Sequence, residues 1–218
     1  MKRFVVIGLG NFGTSVAEAL HEQGHDVVAV DLRDEPVDRV AAHVSRAAVG
    51  DGRQAETLRR LGAEAADGGV VSTGDDITAS ILATMALRDL GVKEVYVKVV
   101  SRDHARVMAR IGVTETIFPE REAAHNLGTR LSSSAVLNYV DLGAGFSIQE
   151  VTVPAAWEGQ TLRELGLRLE HGVSVVAVHD VLRDAMHVPP DPDAPLRGSD
   201  TLLVAGADSH LQKLSGLR

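Results

Sequence analysis

An apolar run at Phe4, Val5, Val6 and Ile7 passes without a break into Gly8-Leu9-Gly10-Asn11-Phe12-Gly13. Val16, Ala17 and Leu20 then share one face of a helix, and a second apolar run, Val27 to Val30, ends at Asp31. Few folds accept this order. Strand, glycine loop, helix, strand and acid make up the first βαβ unit of a dinucleotide-binding sheet. Gly8 permits the tight turn out of the strand, Gly10 lets the backbone approach a pyrophosphate, and Gly13 lets the helix pack against the strand. The helix N-terminus offers unpaired N–H groups and partial positive charge to phosphate. Asp31 can accept hydrogen bonds from a ribose. Arg33, two positions on, could take a 2′-phosphate, but an acid at the strand end favours a free 2′-hydroxyl. The bland alternative is a glycine-rich turn that only packs a helix.

The same alternation continues. Strand signals at residues 4–7, 26–30, 47–49, 69–72, 94–99 and 116–118 are separated by helical segments at 12–23, 36–43, 54–61, 77–90 and 103–111. Asp34 is expected to cap the second helix, with Pro36 in its first turn, and Asp75 or Asp76 the fourth. Gly24, Gly62, Gly91 and Gly112 stand where helices should end. The pattern predicts a Rossmann-type, doubly wound parallel α/β sheet. Composition agrees: 44% of residues are hydrophobic but only 3% aromatic, so the core is built from Val, Ala, Leu and Ile. Such cores suit sheets buried on both faces.

After Pro119 the pattern changes. A helix from Glu120 to about Leu131 runs into Ser132-Ser133-Ser134. Residues 146–153 alternate in part, 173–178, 186–188 and 201–205 are apolar, and short helices are expected at 161–165 and 209–217. Residues 189–195 read as an exposed loop. The expected domains are 1–119, a crossover helix and linker at 120–140, and a small α+β domain at 141–218. With no cysteine there is no disulfide framework and no thiolate site. A formal charge of −8 without Lys/Arg clusters argues against nucleic acid. No apolar run reaches membrane-spanning length. The strand that closely follows Met1 is expected to leave no room for a signal peptide. His21-Glu22-Gln23-Gly24-His25 matches a zinc-protease signature, but Gly24 should break the helix that both histidines would have to share.

Further residues narrow the reading: VIGLGNFG, VVAVD ending at Asp31, VGD around Asp51, YVKV around Lys98, then GVTETIFPERE and VLNYVDL, all in order. FPERE together with VLNYVDL is far more specific than the glycine motif alone. With them the chain resembles, over nearly its whole length, the RCK-domain proteins, regulatory subunits of Ktr and Trk potassium-uptake systems. The resemblance implies a non-enzymatic, cytoplasmic subunit held at the inner face of the membrane by a separate potassium-translocating subunit. It further implies an adenine nucleotide (ATP, ADP or NAD) in the N-domain and dimers assembled into an octameric ring. Gly8, Gly10, Asn11, Phe12 and Gly13 would form the phosphate loop, Asp31 would hold the ribose, and Asp51 would lie beside the adenine. Ser72, Thr73, Gly74 and Lys98 would border the pocket. Glu120 would sit near the phosphates at a dimer interface, where it could help hold a divalent or monovalent cation. Arg168 matches an arginine that contacts cyclic di-AMP in some relatives. Asn138-Tyr139 would serve packing between domains or subunits. Ala123, Ala124, Leu127 and Leu131 share one helix face, expected against a second subunit.

One position departs from the pattern. Nucleotide-gated Ktr relatives often carry Arg where this chain has Asn11, and Asn supplies no charge to a γ-phosphate. Plainer readings stand beside these roles. Asp51 could be only a turn residue, Lys98 a strand residue with a buried stem, Glu120 a first-turn acid, and Arg168 part of a surface ion pair. Two other functions share the fold: an NAD-dependent oxidoreductase and a nucleotide sensor for another cation transporter. Against the first, Tyr96-Val97-Lys98 is not a Tyr-x-x-x-Lys pair and the C-terminal segment shows no acid–base pair.

Overall fold

The period-2 apolar runs of the first half become strands whose alternate residues enter two different cores. In the computed structural model, which describes residues 1–132 and 135–214, the chain divides into two units, the first being Met1–Pro119. That unit contains β1 (Arg3–Ile7), α1 (Asn11–Glu22), β2 (Asp26–Asp31), α2 (Asp34–Val40), β3 (Arg46–Val49), α3 (Ala55–Arg60), β4 (Gly68–Val71), α4 (Ile77–Asp89), β5 (Glu94–Lys98), α5 (Arg102–Ile111) and β6 (Glu115–Ile117). The strands lie in the order β3-β2-β1-β4-β5-β6, and each neighbouring pair is parallel. Val5, Ile7, Val28 and Val30 face a core closed by Leu58, Leu87 and Met108. Val6, Val27 and Ala29 face the opposite core with Ala17, Val37 and Val40. Chain direction across the sheet reverses between β1 and β4, and their carboxyl ends open a crevice there.

The expected helix ends hold. Gly24, Gly62, Gly91 and Gly112 all have φ between 82° and 85°, the left-handed conformation that stops a helix. Asp76 caps α4, its Oδ1 accepting the Ala79 N–H at 2.8 Å. The cap expected of Asp34 is not made. Arg33 occupies that position without a side-chain bond, and Asp34 lies inside the first turn, where its charge still meets the helix dipole favourably. Gly24 also ends the run between the two histidines of the protease-like motif. His21 Nδ1 lies 3.4 Å from Ser45, whereas His25 Nδ1 accepts the Lys2 N–H and its ring stacks edge-on to Phe4.

His104, in the first turn of α5, is 1% exposed, and its Nε2 has no hydrogen-bond partner among the described residues. Burial pushes its pKa below the ordinary 6.5. The folded protein therefore holds this imidazole neutral, while the unfolded chain takes up a proton once pH falls below about 6.5. Stability from this residue is fully present above that pH and declines below it, by at most about 1.4 kcal/mol per pH unit. His104→Met should flatten the fall in denaturation midpoint between about pH 6.5 and 5 relative to the parent. Identical pH profiles would show that His104 does not set it.

The second unit begins with α6 (Pro119–Ser132), which starts on the last residue of the first. It continues through β7 (Val136–Gly143), β8 (Phe146–Thr152), α7 (Leu162–Leu165), α8 (Leu167–Glu170), β9 (Val173–Asp180), β10 (Ala185–His187), β11 (Thr201–Ala207) and α9 (Asp208–Leu214). The last part of the helix expected at 209–217, and residues 133 and 134 of the serine run, lie outside the described residues. The sheet is antiparallel, ordered β10-β9-β11-β8-β7. Val151, Val173, Leu202, Val204 and Trp157 pack with Leu211 and Leu214 beneath it. The expected helix at 161–165 carries a full capping box between Thr161 and Glu164. Gly166, with φ 53°, separates it from α8.

β7 was not among the expected strands, since its residues fell largely in the linker. Its buried residues, Val136 and Tyr139, are three apart, and the pairing register shifts between Val136 and Asn138. A bulge thus erases the period-2 signal that marks a strand. Within this unit Asn126 of α6 donates to the Tyr139 carbonyl at 2.8 Å, and Asn138 donates to Glu150 of β8. Leu127 and Leu131 are 51% and 78% exposed. Among the described residues no helix is long and apolar enough to cross a membrane.

Candidate functional site

The glycine loop between β1 and α1 is built by contacts that leave no room for side chains at two of its positions. Gly8 has φ 89°, and its N–H donates to the Val30 carbonyl at 2.8 Å. A Cβ on Gly8 would lie 2.2 Å from the Ser72 carbonyl oxygen. A Cβ on Gly13 would lie 1.9 Å from the Gly8 carbonyl oxygen, so α1 rests directly on the turn. Gly10 differs: nothing lies within 4 Å of its would-be Cβ. Its missing side chain leaves open space rather than relieving a contact.

That space belongs to a cleft of about 360 Å³ at the strand ends of the first unit. Ile7, Val30, Leu32, Ala79 and Ala83 supply its apolar lining, and Gly8 and Gly10 its loop. Asp31 ends β2 and Arg33 follows it, Asp51 and Arg53 follow β3, and Ser72, Thr73, Gly74 and Asp76 lie between β4 and α4. The expected residues Gly8, Gly10, Asp31, Asp51, Ser72, Thr73 and Gly74 therefore converge on one cavity. Asn11, Phe12 and Gly13 stand behind Gly10 as the first turn of α1. Phe12 packs into the core of the α1 face, so only its backbone is available to the loop. Lys98 ends β5, half-buried and in register with Ile117, and is not part of the cleft lining. Glu120 and Arg168 belong to the second unit, both exposed, on α6 and α8. A cavity of about 300 Å³ in that unit is lined by Asp180, Arg183, Arg197 and Asp200 among others, but not by Arg168.

The cleft carboxylates do structural work. Asp31 Oδ2 accepts the Leu9 N–H at 2.7 Å and Oδ1 accepts the Arg33 N–H at 3.0 Å. One acid thus ties the end of β2 to the glycine loop, a role that composition and spacing did not reveal. Each of its oxygens keeps further acceptor capacity for a ribose hydroxyl. Asp51 Oδ1 accepts both the Arg53 N–H and its Nε–H, at 3.0 and 2.8 Å, and Oδ2 accepts from Arg53 Nη2 at 2.8 Å. The Arg53 guanidinium holds the Asp51 carboxyl below its usual range. Asp76 serves α4 as its cap, and Thr73 Oγ1 donates to the Asp76 carbonyl at 3.1 Å. Arg53, Ala79 and Ala83 are not among the expected site residues, and Asp76 is expected only as the cap of α4. A signal for Arg53 was present: Asp-x-Arg recurs at residues 31–33 and 51–53, at the ends of adjacent strands.

A parallel sheet with a glycine loop, an acid at the end of β2 and a cleft at the switch point defines a Rossmann-type binding domain. Comparison with known proteins makes the class specific. The TrkA-N domain model matches residues 4–119 and the TrkA-C domain model residues 148–217. The chain is 36% identical over 177 residues to the Ktr system potassium uptake protein C of Bacillus subtilis (strain 168), covering 81% of this chain and 80% of that one. It is 34% identical over 220 residues to the Ktr system potassium uptake protein A of Vibrio alginolyticus, covering 99% and 98%. The chain belongs to the TrkA/Ktr family of RCK-domain potassium-uptake regulatory proteins. The GsuK RCK domain shares the fold, with a TM-score of 0.66 at 20% identity over 99% of this chain and 47% of that one. The GsuK channel bound to NAD matches with a TM-score of 0.56 at 23% identity, over 98% and 38%. The chain thus spans less than half the length of those two structures.

Proposed function

We propose that this protein is a nucleotide-sensing regulatory subunit that acts on a separate membrane potassium-translocating subunit of the Ktr/Trk type. The observation that carries the reading is the convergence of Gly8, Gly10, Asp31 and the open α1 N-terminus on one cleft. Unpaired N–H groups at the start of α1 and the dipole behind them suit a diphosphate. Asp31, already fixed by Leu9 and Arg33, is positioned for a ribose. ATP, ADP and NAD all carry the adenosine diphosphate that this arrangement fits, and NAD is the ligand named for the GsuK channel. The three cleft carboxylates are engaged with backbone N–H groups or an arginine, which supports a binding module over an oxidoreductase.

Regulation would proceed by population shift. A ligand that prefers one conformation tenfold supplies about 1.4 kcal/mol per site, so several coupled sites are needed to move a gate. A homo-oligomer meets that need, octameric by family likeness, and the exposed α6 face with Leu127 and Leu131 offers a contact surface. Glu120 would join an interface cation there, and Arg168 a second ligand such as cyclic di-AMP. The subunit would work in the cytoplasm, at the inner membrane face. Calorimetry with ADP, ATP and NAD tests the cleft, and co-purification of a pore subunit tests the role. Cells lacking the gene should take up potassium poorly at low external concentration. Unchanged uptake together with no co-purifying transporter would reject the proposal.

Position 11 gives a sharper test. With Asn11 in the first turn of α1, no charge from this position reaches a γ-phosphate. Wild type should therefore separate ATP from ADP by less than about tenfold, which is 1.4 kcal/mol. Asn11→Arg should raise ATP affinity selectively. A wild-type preference above tenfold would mean that another cation does this work.

A further inference from the structure

We propose that Arg53, clamped flat by Asp51, is the platform on which the base of the bound nucleotide stacks, which makes it a specificity-determining residue of the cleft. The inference rests on the reading of the cleft as an adenine-nucleotide site. The cleft lining contains no aromatic side chain, so guanidinium groups are its only planar cations. Arg33 and Arg53 differ in how they are held. Arg33 is 68% exposed and meets Asp31 at a single side-chain distance of 3.5 Å. Arg53 makes a two-pronged fork, Nε to Oδ1 and Nη2 to Oδ2, both at 2.8 Å. Two parallel bonds along one edge fix the plane of the guanidinium and leave its faces available for stacking.

Position agrees with this role. Phosphates belong at the glycine loop after β1, and the ribose at Asp31, the last residue of β2. The next strand outward is β3, paired to β2 with Asp31 opposite Val49. Its end carries Asp51 and Arg53. A base continuing outward from the ribose meets Arg53, with the apolar Ile7, Val30, Leu32, Ala79 and Ala83 as another part of the lining. Because Asp51 neutralises Arg53, the pair adds little attraction for phosphate. Its effect should fall on the base.

Calorimetry on the full chain separates the possibilities, using ADP and its base-free counterpart ribose 5-diphosphate. Arg53→Ala should weaken ADP about tenfold, the scale of stacking on a planar cation or ring, and leave ribose 5-diphosphate unchanged. Arg53→Lys, which keeps charge without the plane, should not rescue. Asp51→Asn should lose a similar factor alone and nothing more in the Arg53→Ala background, since its part is to hold Arg53. Thermal melts of each variant confirm folding. Wild-type affinity in Arg53→Lys, or an equal loss for ribose 5-diphosphate, would show that Arg53 acts by charge and overturn the platform. A full further loss from Asp51→Asn in the Arg53→Ala background would assign the base contact to Asp51 instead. Folded wild type that binds no ADP would overturn the cleft reading itself, and the platform with it.

Discussion

Gly13→Ala should destabilise the first unit by more than about 3 kcal/mol, at the upper end of overpacking effects. The added methyl would stand 1.9 Å from the Gly8 carbonyl oxygen, well inside any tolerated contact. Neither side can yield easily. Gly8 is bound through its N–H to Val30, and its own Cα face lies against the Ser72 carbonyl. Moving α1 outward instead would open the core that holds Ala17 and Leu9. For a unit of this size the loss corresponds to a midpoint lower by on the order of 10 °C or more. Differential scanning calorimetry reads it directly. A variant melting within 2 °C of the parent, a margin on the scale of a ~0.5 kcal/mol surface change, would mean that α1 does not rest on the turn as described.

Gly10→Val should do the reverse: abolish nucleotide binding and leave the fold intact. Gly10 has φ −71° and ψ −174°, an extended backbone that any residue adopts, and its Cβ position is open. It caps α1 without a side-chain bond, so valine there costs under about 1 kcal/mol. Its branched side chain would occupy the cleft at the point where the phosphates must approach the loop. A loss of more than about hundredfold in ADP, ATP and NAD affinity is expected, equivalent to about 2.7 kcal/mol. Calorimetry measures it, and the same variant should fail to restore regulated potassium uptake. Undiminished binding in a well-folded Gly10→Val protein would move the phosphate site away from this loop. The two glycines thus separate cleanly, one needed by the fold and the other by the ligand.

Much of this was legible in the order of residues. Continuous valine-rich runs, glycines at helix ends and the acid that ends β2 each carry a local reason, and local reasons survive into the fold. The parallel sheet, its six strands and the placement of Gly8, Gly10, Asp31, Asp51 and Ser72 around one cleft followed from them. The family likeness carried by VLNYVDL and FPERE was equally a property of the chain alone.

What the sequence could not decide are relations between residues distant along the chain. Asp31 reads as a ribose acceptor, but only the folded loop shows it binding the Leu9 N–H, 22 positions away. β7 was hidden because its bulge breaks the alternation by which strands are found, and it becomes a strand only through pairing with β8. Gly10 and Gly13 are the same residue type in one motif. Their difference, open space against a carbonyl oxygen at 1.9 Å, arises because α1 leans on the turn after β1 at one point and leaves the cleft open at the other. Residue type and spacing determined the elements and their order. Which groups meet was decided by packing, since contact distances depend on how whole elements close against one another.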